Sequence, residues 1–296
     1  MLRLLLLGKL GQLGWELRRA LAPLGSVTAL DVPEIDLTRP EGFLPAAREA
    51  RPQVIVNATA YTAVDRAESE AGLAHLINGT APGLLAELAR DIGAALIHYS
   101  TDYVFDGGKG VPYVEDDAPE PLGVYGASKL AGEQAIAQVG GAYLTLRTSW
   151  VYSLRRDSFV TKVLQWARQQ RTLHVVTDQT ANPTWARMLA EVTAQLLAQA
   201  GADPTGWLRE RGGLYHLAGD GHASRFEWAR AVLALDPHRG EQVVETLLPA
   251  LTADFPTPAK RPLFSALDCA RFTAVFGLRL PPWEEALRLA MEAECG

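Results

Sequence analysis

One stretch near the N-terminus constrains this chain more than any other. Arg3 to Leu7 is an apolar run of strand length, and Gly8-Lys9-Leu10-Gly11-Gln12-Leu13-Gly14 follows it directly. A helical pattern through Trp15, Leu17, Ala20 and Leu21 comes next. A buried parallel strand, a glycine-rich turn and a helix together form the context that a dinucleotide fingerprint requires. Glycines let the backbone approach a pyrophosphate, and the helix N-terminus supplies amide donors and a positive dipole end. The spacing here is G-x-x-G-x-x-G, set by Gly8, Gly11 and Gly14, and differs from the more familiar G-x-G-x-x-G.

Strand and helix patterns then alternate. Val27 to Leu30 reads as a second strand and ends at Asp31, seventeen residues beyond Gly14. An acidic residue at about that distance accepts hydrogen bonds from a ribose 2′-hydroxyl and repels a 2′-phosphate, so NADH should be accepted well. A turn cap is the alternative role for Asp31. Val54 to Asn57 reads as a third strand, and the small residues Ala58-Thr59-Ala60 after it let a cofactor pass close to the backbone. A long helical stretch runs from Val64 to Ile92 and is interrupted around Asn78-Gly79. Ala95 to Ser100 reads as a fourth strand and Ala142 to Thr148 as a fifth. The pace of alternation predicts an α/β fold of Rossmann type: a doubly wound parallel sheet with a smaller, mainly C-terminal substrate-binding subdomain. Residues 1–150 are expected to form the dinucleotide-binding domain. Residues 151–296 are expected to be mainly substrate-binding, with a segment of about 172–200 returning to the Rossmann sheet.

Ligands of such sheets sit beyond the carboxyl ends of the strands. One strand end there carries Ser100-Thr101-Asp102-Tyr103. Downstream, Tyr125-Gly126-Ala127-Ser128-Lys129 opens a helix, so Tyr125 and Lys129 lie one above the other on one face. In solution a phenol titrates near pH ~10 and a lysine near ~10.4. A lysine cation held near the phenol would lower the Tyr125 pKa, and Thr101 could hydrogen-bond the same oxygen, giving a proton donor usable near neutral pH. Of the other polar residues, His98 reads as a satisfied core residue before a catalyst, and Asn78 as a satisfied helix residue before a polar relay behind the site. Lys260 and Arg261 stand on a stiff loop with four prolines between Pro249 and Pro262, which suits either a diphosphate or plain surface charge.

Bulk properties set outer limits. The formal net charge of -6 argues against a general nucleic-acid surface. Cys269 and Cys295 read as free thiols, and no histidine has a partner at metal-ligand spacing. No run approaches the ~20 apolar residues of a membrane span, and Leu4-Leu5-Leu6-Leu7 is too short for a signal peptide. A cytoplasmic protein without membrane contact is expected.

The combination of glycine turn, Thr101 and Tyr125-x-x-x-Lys129 resembles the extended short-chain dehydrogenase/reductase family. Within it, the blocks Thr62-Ala63-Val64-Asp65-Arg66-Ala67-Glu68, Ser100 to Phe105, Arg147 to Tyr152 and Pro256 to Pro262 look like the dTDP-4-dehydrorhamnose reductases. The likeness runs from about residue 1 to about residue 290. It implies NADH- or NADPH-dependent reduction of dTDP-6-deoxy-L-lyxo-4-hexulose to dTDP-L-rhamnose. It assigns Tyr125 as proton donor, Lys129 as its neighbour on the nicotinamide ribose, and Thr101 as a hydrogen-bond partner of the carbonyl. It also implies dinucleotide contacts from Gly11, Gln12, Leu13, Asp31, Asp36, Leu37, Ala60, Tyr61 and Thr62, and a sugar-nucleotide pocket lined by Asp102, Tyr103 and Trp150. Some members bridge a homodimer through Mg²⁺ held by acidic side chains. Here Arg187 stands after Pro183-Thr184-Trp185-Ala186 where an acid would be expected, so no metal is expected and a homodimer stays open. Two other readings share the scaffold: a sugar-nucleotide 4-epimerase, and a regulatory subunit that binds a dinucleotide without turnover. A 4,6-dehydratase fits less well, because Tyr103 stands where those enzymes carry a glutamate.

Overall fold

The computed structural model describes residues 1–292. The expected closing helix over Trp283 to Glu294 is observed as Trp283–Glu292; its last two residues, and Cys295, lie outside the described residues. Cys269 is a free thiol.

Six strands form one parallel sheet: β1 (Leu2–Leu7), β2 (Gly25–Leu30), β3 (Val54–Asn57), β4 (Ala95–Thr101), β5 (Tyr143–Thr148) and β6 (Gly213–His216). Their spatial order is β6-β5-β4-β3-β1-β2, so the chain reverses direction across the sheet between β1 and β3. That reversal opens the crevice in which doubly wound sheets bind ligands. Strand residues point alternately to the two faces, and each face is covered by helices. Leu4, Leu6, Val54, Val56, Ile97, Leu144 and Leu146 share one apolar layer with Leu13 and Leu17 of α1 (Gln12–Ala20). Leu5, Leu7, Ile55 and Leu96 share the other with Phe43 of α2 (Pro40–Glu49), Leu85 and Leu88 of α3 (Ala81–Ile92), and Ile136 of α4 (Val124–Val139). Both layers are apolar because both faces of the sheet are shut off from water.

Two expectations need correction. Thr172–Val176 does form a strand, but it pairs with Thr246–Ala250 in a separate two-stranded sheet and does not join the main one. A short apolar run looks the same in either sheet, so the pattern alone could not tell them apart. Helix α5 (Ala186–Ala200) packs against α1 in the first layer, with Leu189, Leu196 and Leu197 buried there. The interruption near Asn78 is a π-turn, Leu76–Thr80, inside a continuing helical run; the chain breaks earlier, between Ala67 and Ala71. A further apolar cluster of Tyr152, Val160, Val163, Trp185, Trp228, Trp283 and Leu287 lies outside the two sheet layers.

Candidate active site

The glycine turn is tight for a steric reason. A Cβ on Gly14 would stand 1.8 Å from the Gly8 carbonyl oxygen, and one on Gly8, at φ +90°, would stand 2.9 Å from the Ala58 backbone. Only glycine lets α1 start against the turn while the turn lies against the end of β3. Gly11 is the N-cap and no side chain caps it, so the amides of the first turn remain available to an anion. The Gln12 Oε1 atom is buried without a protein partner. Both observations fit a pyrophosphate seated on this turn. Asp31 closes the turn from β2: its Oδ2 accepts the Leu10 N–H at 2.8 Å and its Oδ1 accepts the Val32 N–H at 2.8 Å. The carboxylate therefore caps, and each oxygen keeps a further lone pair for a ribose hydroxyl. Lys9 pairs with Glu34 at 2.5 Å, and Arg155 and Arg156 both reach the Leu10 carbonyl, which gives the turn a basic rim that sequence reading missed.

The other expected dinucleotide contacts divide by burial. Asp36 turns inward on its own loop, where Oδ1 accepts from the Thr38 N–H at 2.9 Å and from its hydroxyl at 2.6 Å. Leu37 is 8% exposed and belongs to the core layer with Leu7 and Phe43. Ala60 and Tyr61 are half-buried and Thr62 is exposed, just past β3. The Tyr61 backbone is gripped by Asn78, whose Oδ1 accepts its N–H at 2.8 Å and whose Nδ2 donates to its carbonyl at 3.0 Å. Asn78 Nδ2 also donates to Ser128 Oγ at 3.0 Å, and Ser128 donates to the Tyr125 carbonyl at 2.8 Å. Asn78 is thus satisfied, as expected, and it also ties the loop after β3 to the start of α4.

Thr101 ends β4 and places the next group. Its Oγ1 donates to Asp102 Oδ1 at 3.2 Å and accepts the Tyr103 N–H at 3.2 Å, and the Tyr125 phenol lies beside it. A Cβ on Gly126 would stand 2.1 Å from the Tyr103 carbonyl, so the glycine after Tyr125 admits the β4 loop against α4. The Tyr103 and Tyr125 rings consequently meet edge to face, 5.8 Å apart at 78°.

The electrostatics depart from expectation. Lys129 is 1% exposed and donates to the Tyr99 carbonyl at 2.6 Å, with His98 Nε2 3.2 Å away. Burial raises the Tyr125 phenol well above its usual range; Thr101 lowers it in part, and Lys129 is not among the groups that do so. The cation lies on the same helix face, but its contacts are on β4, not on the phenol.

The sugar-side residues gather around the same tyrosine. Asp102 is 2% exposed, accepts from Ser265 Oγ at 2.5 Å, and is pushed up to about 6 by burial. Trp150 has φ +39°, a conformation that bulky residues rarely adopt and that costs about 1–3 kcal/mol. Its ring stacks on Trp228 at 5.5 Å and 12°. The Arg225 guanidinium lies 3.6 Å from the Trp150 ring centre, close to the Tyr103 phenol, and burial lowers the guanidinium to about 10. A capping box of Ser224 and Glu227 opens the helix that carries Arg225, and no sequence motif marks Arg225 itself. Arg261, by contrast, is spent on Asp65 at 3.0 and 2.8 Å and on the Ala259 carbonyl at 2.8 Å, so its loop is tied to the helix Val64–Ala67. Its partner Lys260 is exposed. Arg187, noted in place of an acid, pairs with Glu16 at 3.5 Å.

The sequence pattern of the RmlD substrate binding domain matches residues 2–295. The chain belongs to that family. A dTDP-4-dehydrorhamnose reductase of Burkholderia thailandensis is 42% identical over 98% of this chain and 98% of its own length. Among solved structures, a Clostridium acetobutylicum dTDP-4-dehydrorhamnose reductase superposes with a TM-score of 0.90 at 31% identity, over 99% of both chains. The Bacillus anthracis enzyme of the same name, in complex with NADP, gives 0.88 at 31% identity over 99% of both chains. The family fits the parallel Rossmann-type sheet described above. No helix among the described residues is long and apolar enough to cross a membrane.

Proposed function

We propose that this chain is an NAD(P)H-dependent reductase that converts dTDP-6-deoxy-L-lyxo-4-hexulose to dTDP-L-rhamnose in the cytoplasm. The observation that carries the reading is the near-full-length likeness to a protein named for that reaction, 42% identical over 98% of both chains. The placing of Thr101 beside the Tyr125 phenol, whose pKa it lowers in part against burial, supports it.

Gly8, Gly11, Gln12, Leu13 and Gly14 would hold the pyrophosphate, Asp31 the adenosine ribose, and Ala60 to Thr62 the middle of the cofactor. The reduced nicotinamide supplies the hydride. Tyr125 donates its hydroxyl proton to the oxygen at C4 as the carbonyl becomes an alcohol. An alkoxide is a stronger base than a phenolate, so this transfer runs downhill even from a phenol that burial has raised. Thr101 bonds the same oxygen pair and fixes the donor's direction, which stabilises charge as it develops. Lys129 sits one turn along α4, anchored on the Tyr99 carbonyl. Asp102, Tyr103 and Trp150 line the sugar side. Arg225, buried between aromatic rings, meets the negative charge of the nucleotide's diphosphate; Arg261 shapes the loop beside it.

The deciding assay follows NADH absorbance with and without the 4-keto sugar nucleotide. Loss of absorbance only with the sugar nucleotide, and recovery of the 6-deoxy-sugar product, supports the reductase. Cofactor binding with no consumption would replace it with the regulatory-subunit reading.

A further inference from the structure

We infer that His98 is a positioning residue for Lys129: Thr59 and Asn57 hold its imidazole with the proton on Nε2, which favours the uncharged amine of Lys129 over the ammonium. This deepens the reductase reading and rests on it for the role of Lys129, but the arrangement of protons stands on geometry alone.

The argument follows donors and acceptors inward from the backbone. The Thr59 N–H can only donate, and it reaches Asn57 Oδ1 at 3.1 Å; the Thr59 hydroxyl reaches the same oxygen at 2.5 Å. Those bonds decide which end of the amide is oxygen. The NH₂ end of Asn57 therefore faces His98 Nδ1, at 3.1 Å. Nδ1 must accept. A neutral imidazole carries one ring proton, so that proton is on Nε2, 3.2 Å from Lys129 Nζ. An amine can accept it; an ammonium has no lone pair and cannot. A charged Lys129 must either face the Nε2–H or drive the ring proton to Nδ1, against the Asn57 NH₂; both cost free energy, so the lock opposes the charge while the tautomer itself stays fixed. Relief by turning the amide would cost Thr59 its partner.

The surroundings reinforce the lock. Asn57 and His98 are 0% exposed, so water cannot readily substitute for a lost partner. The Tyr99 carbonyl accepts from amine or ammonium, more strongly from the ammonium, so it opposes the lock. The titratable groups that face Lys129 are the neutral His98 on β4 and Glu133 on α4 itself. Glu133 favours the cation, yet its carboxylate already accepts three hydrogen bonds from Arg147 of β5, at 3.0, 3.1 and 2.7 Å. Across the crossing, Ser128 of α4 meets Asn78, and both are uncharged. Burial keeps His98 neutral and lowers Lys129 to about 8. Lys129 is thereby held where its proton can be lost or regained close to neutral pH, one helical turn from the phenol that the reaction leaves deprotonated.

The test is nitrogen NMR of the full chain labelled with ¹⁵N-histidine. Loss of a signal in His98→Phe assigns His98, and through-space contacts to Asn57 and Lys129 assign it independently should that variant not fold. The expected wild-type spectrum has a protonated Nε2 and a bare Nδ1, unchanged from pH 8 down to pH ~5. A protonated Nδ1, or a histidinium in that range, overturns the inference and leaves the reductase reading untouched. The second arm is Asn57→Asp, whose carboxylate accepts from both sides. The ring proton should move to Nδ1, and the alkaline limb of kcat/KM should rise by about one pH unit as the ammonium gains an acceptor. A ring proton that stays on Nε2, or an alkaline limb that does not move, counts against the coupling. Absence of any reductase activity in the wild type would instead sink the functional reading.

Discussion

The guanidinium of Arg225 lies 3.6 Å from the centre of the Trp150 ring, although about a quarter of the chain separates the two residues in sequence. Trp150 leaves β5 with φ +39°, and the contact is made from the first turn of the helix Arg225–Leu235. A planar cation against an indole face gains from the ring quadrupole and remains a donor at its edge. The Tyr103 phenol is close enough for the Arg225 charge to lower its pKa, so Arg225 and the β4 loop stand together at the site.

Arg225→Lys should therefore raise KM for the sugar nucleotide by about tenfold or more, because an ammonium keeps the charge but loses the stacked, forked geometry. Turnover at saturation should stay within about threefold. Steady-state kinetics separates the two. An unchanged KM would remove Arg225 from the diphosphate side of the pocket.

Tyr125→Phe should lower kcat by about 10² to 10⁴. The ring, its edge contact with Tyr103 and the fold around Gly126 survive the change, so NADH binding measured by fluorescence should remain within about threefold of wild type. Turnover close to wild type would rule out the phenol as proton source.

Gly14→Ala tests the turn. The added Cβ would meet the Gly8 carbonyl at 1.8 Å, and both partners are backbone, so neither can swing aside. A loss of about 3 kcal/mol or more is expected in urea unfolding, together with loss of cofactor binding. A stable variant that still binds NADH would show that α1 can slide away from the turn.

Asp102 gives a pH signature. Burial holds its carboxyl at about 6, above the unfolded value near 3.9. The native state therefore binds more protons than the unfolded one between those values. Stability is fullest below pH ~4 and declines as pH rises through about 6, by on the order of 3 kcal/mol in total. Asp102→Asn removes that slope. The difference in unfolding free energy, variant minus wild type, should grow in the variant's favour from pH 4 to pH 7. A difference independent of pH would mean that Asp102 is ionised at low pH in the fold.

The parts of the molecule that were legible in the sequence are local ones. The glycine turn, the end of β4 and the Tyr125–Lys129 face each depend on spacing within about a dozen residues, and the structure forms all three as expected. His98 was expected in the core and is there, 0% exposed. What spacing could not show was which partner a side chain would choose. Lys129 turned to Tyr99 and His98 because β4 offers hydrogen-bond partners within reach, and the phenol was left to Thr101. Arg261 looked free on its loop until Asp65, nearly two hundred residues earlier, closed on it at 2.8 Å. Arg225 and Ser265 reach the site only through tertiary packing, and no periodic pattern marks such residues. The strand at Thr172–Val176 was legible as a strand; its address was not.

The last strand of the main sheet, Gly213–His216, pairs along β5 and comes from beyond residue 210. A ribosome must therefore deliver more than two thirds of the chain before the outer flank of Tyr143–Thr148 finds its neighbour. Until then that flank presents bare amides and carbonyls, the kind of ledge onto which another copy can zip. The nucleotide-binding half is thus not a detachable module. Cut at residue 150, it would keep its glycine turn and expose a sticky border.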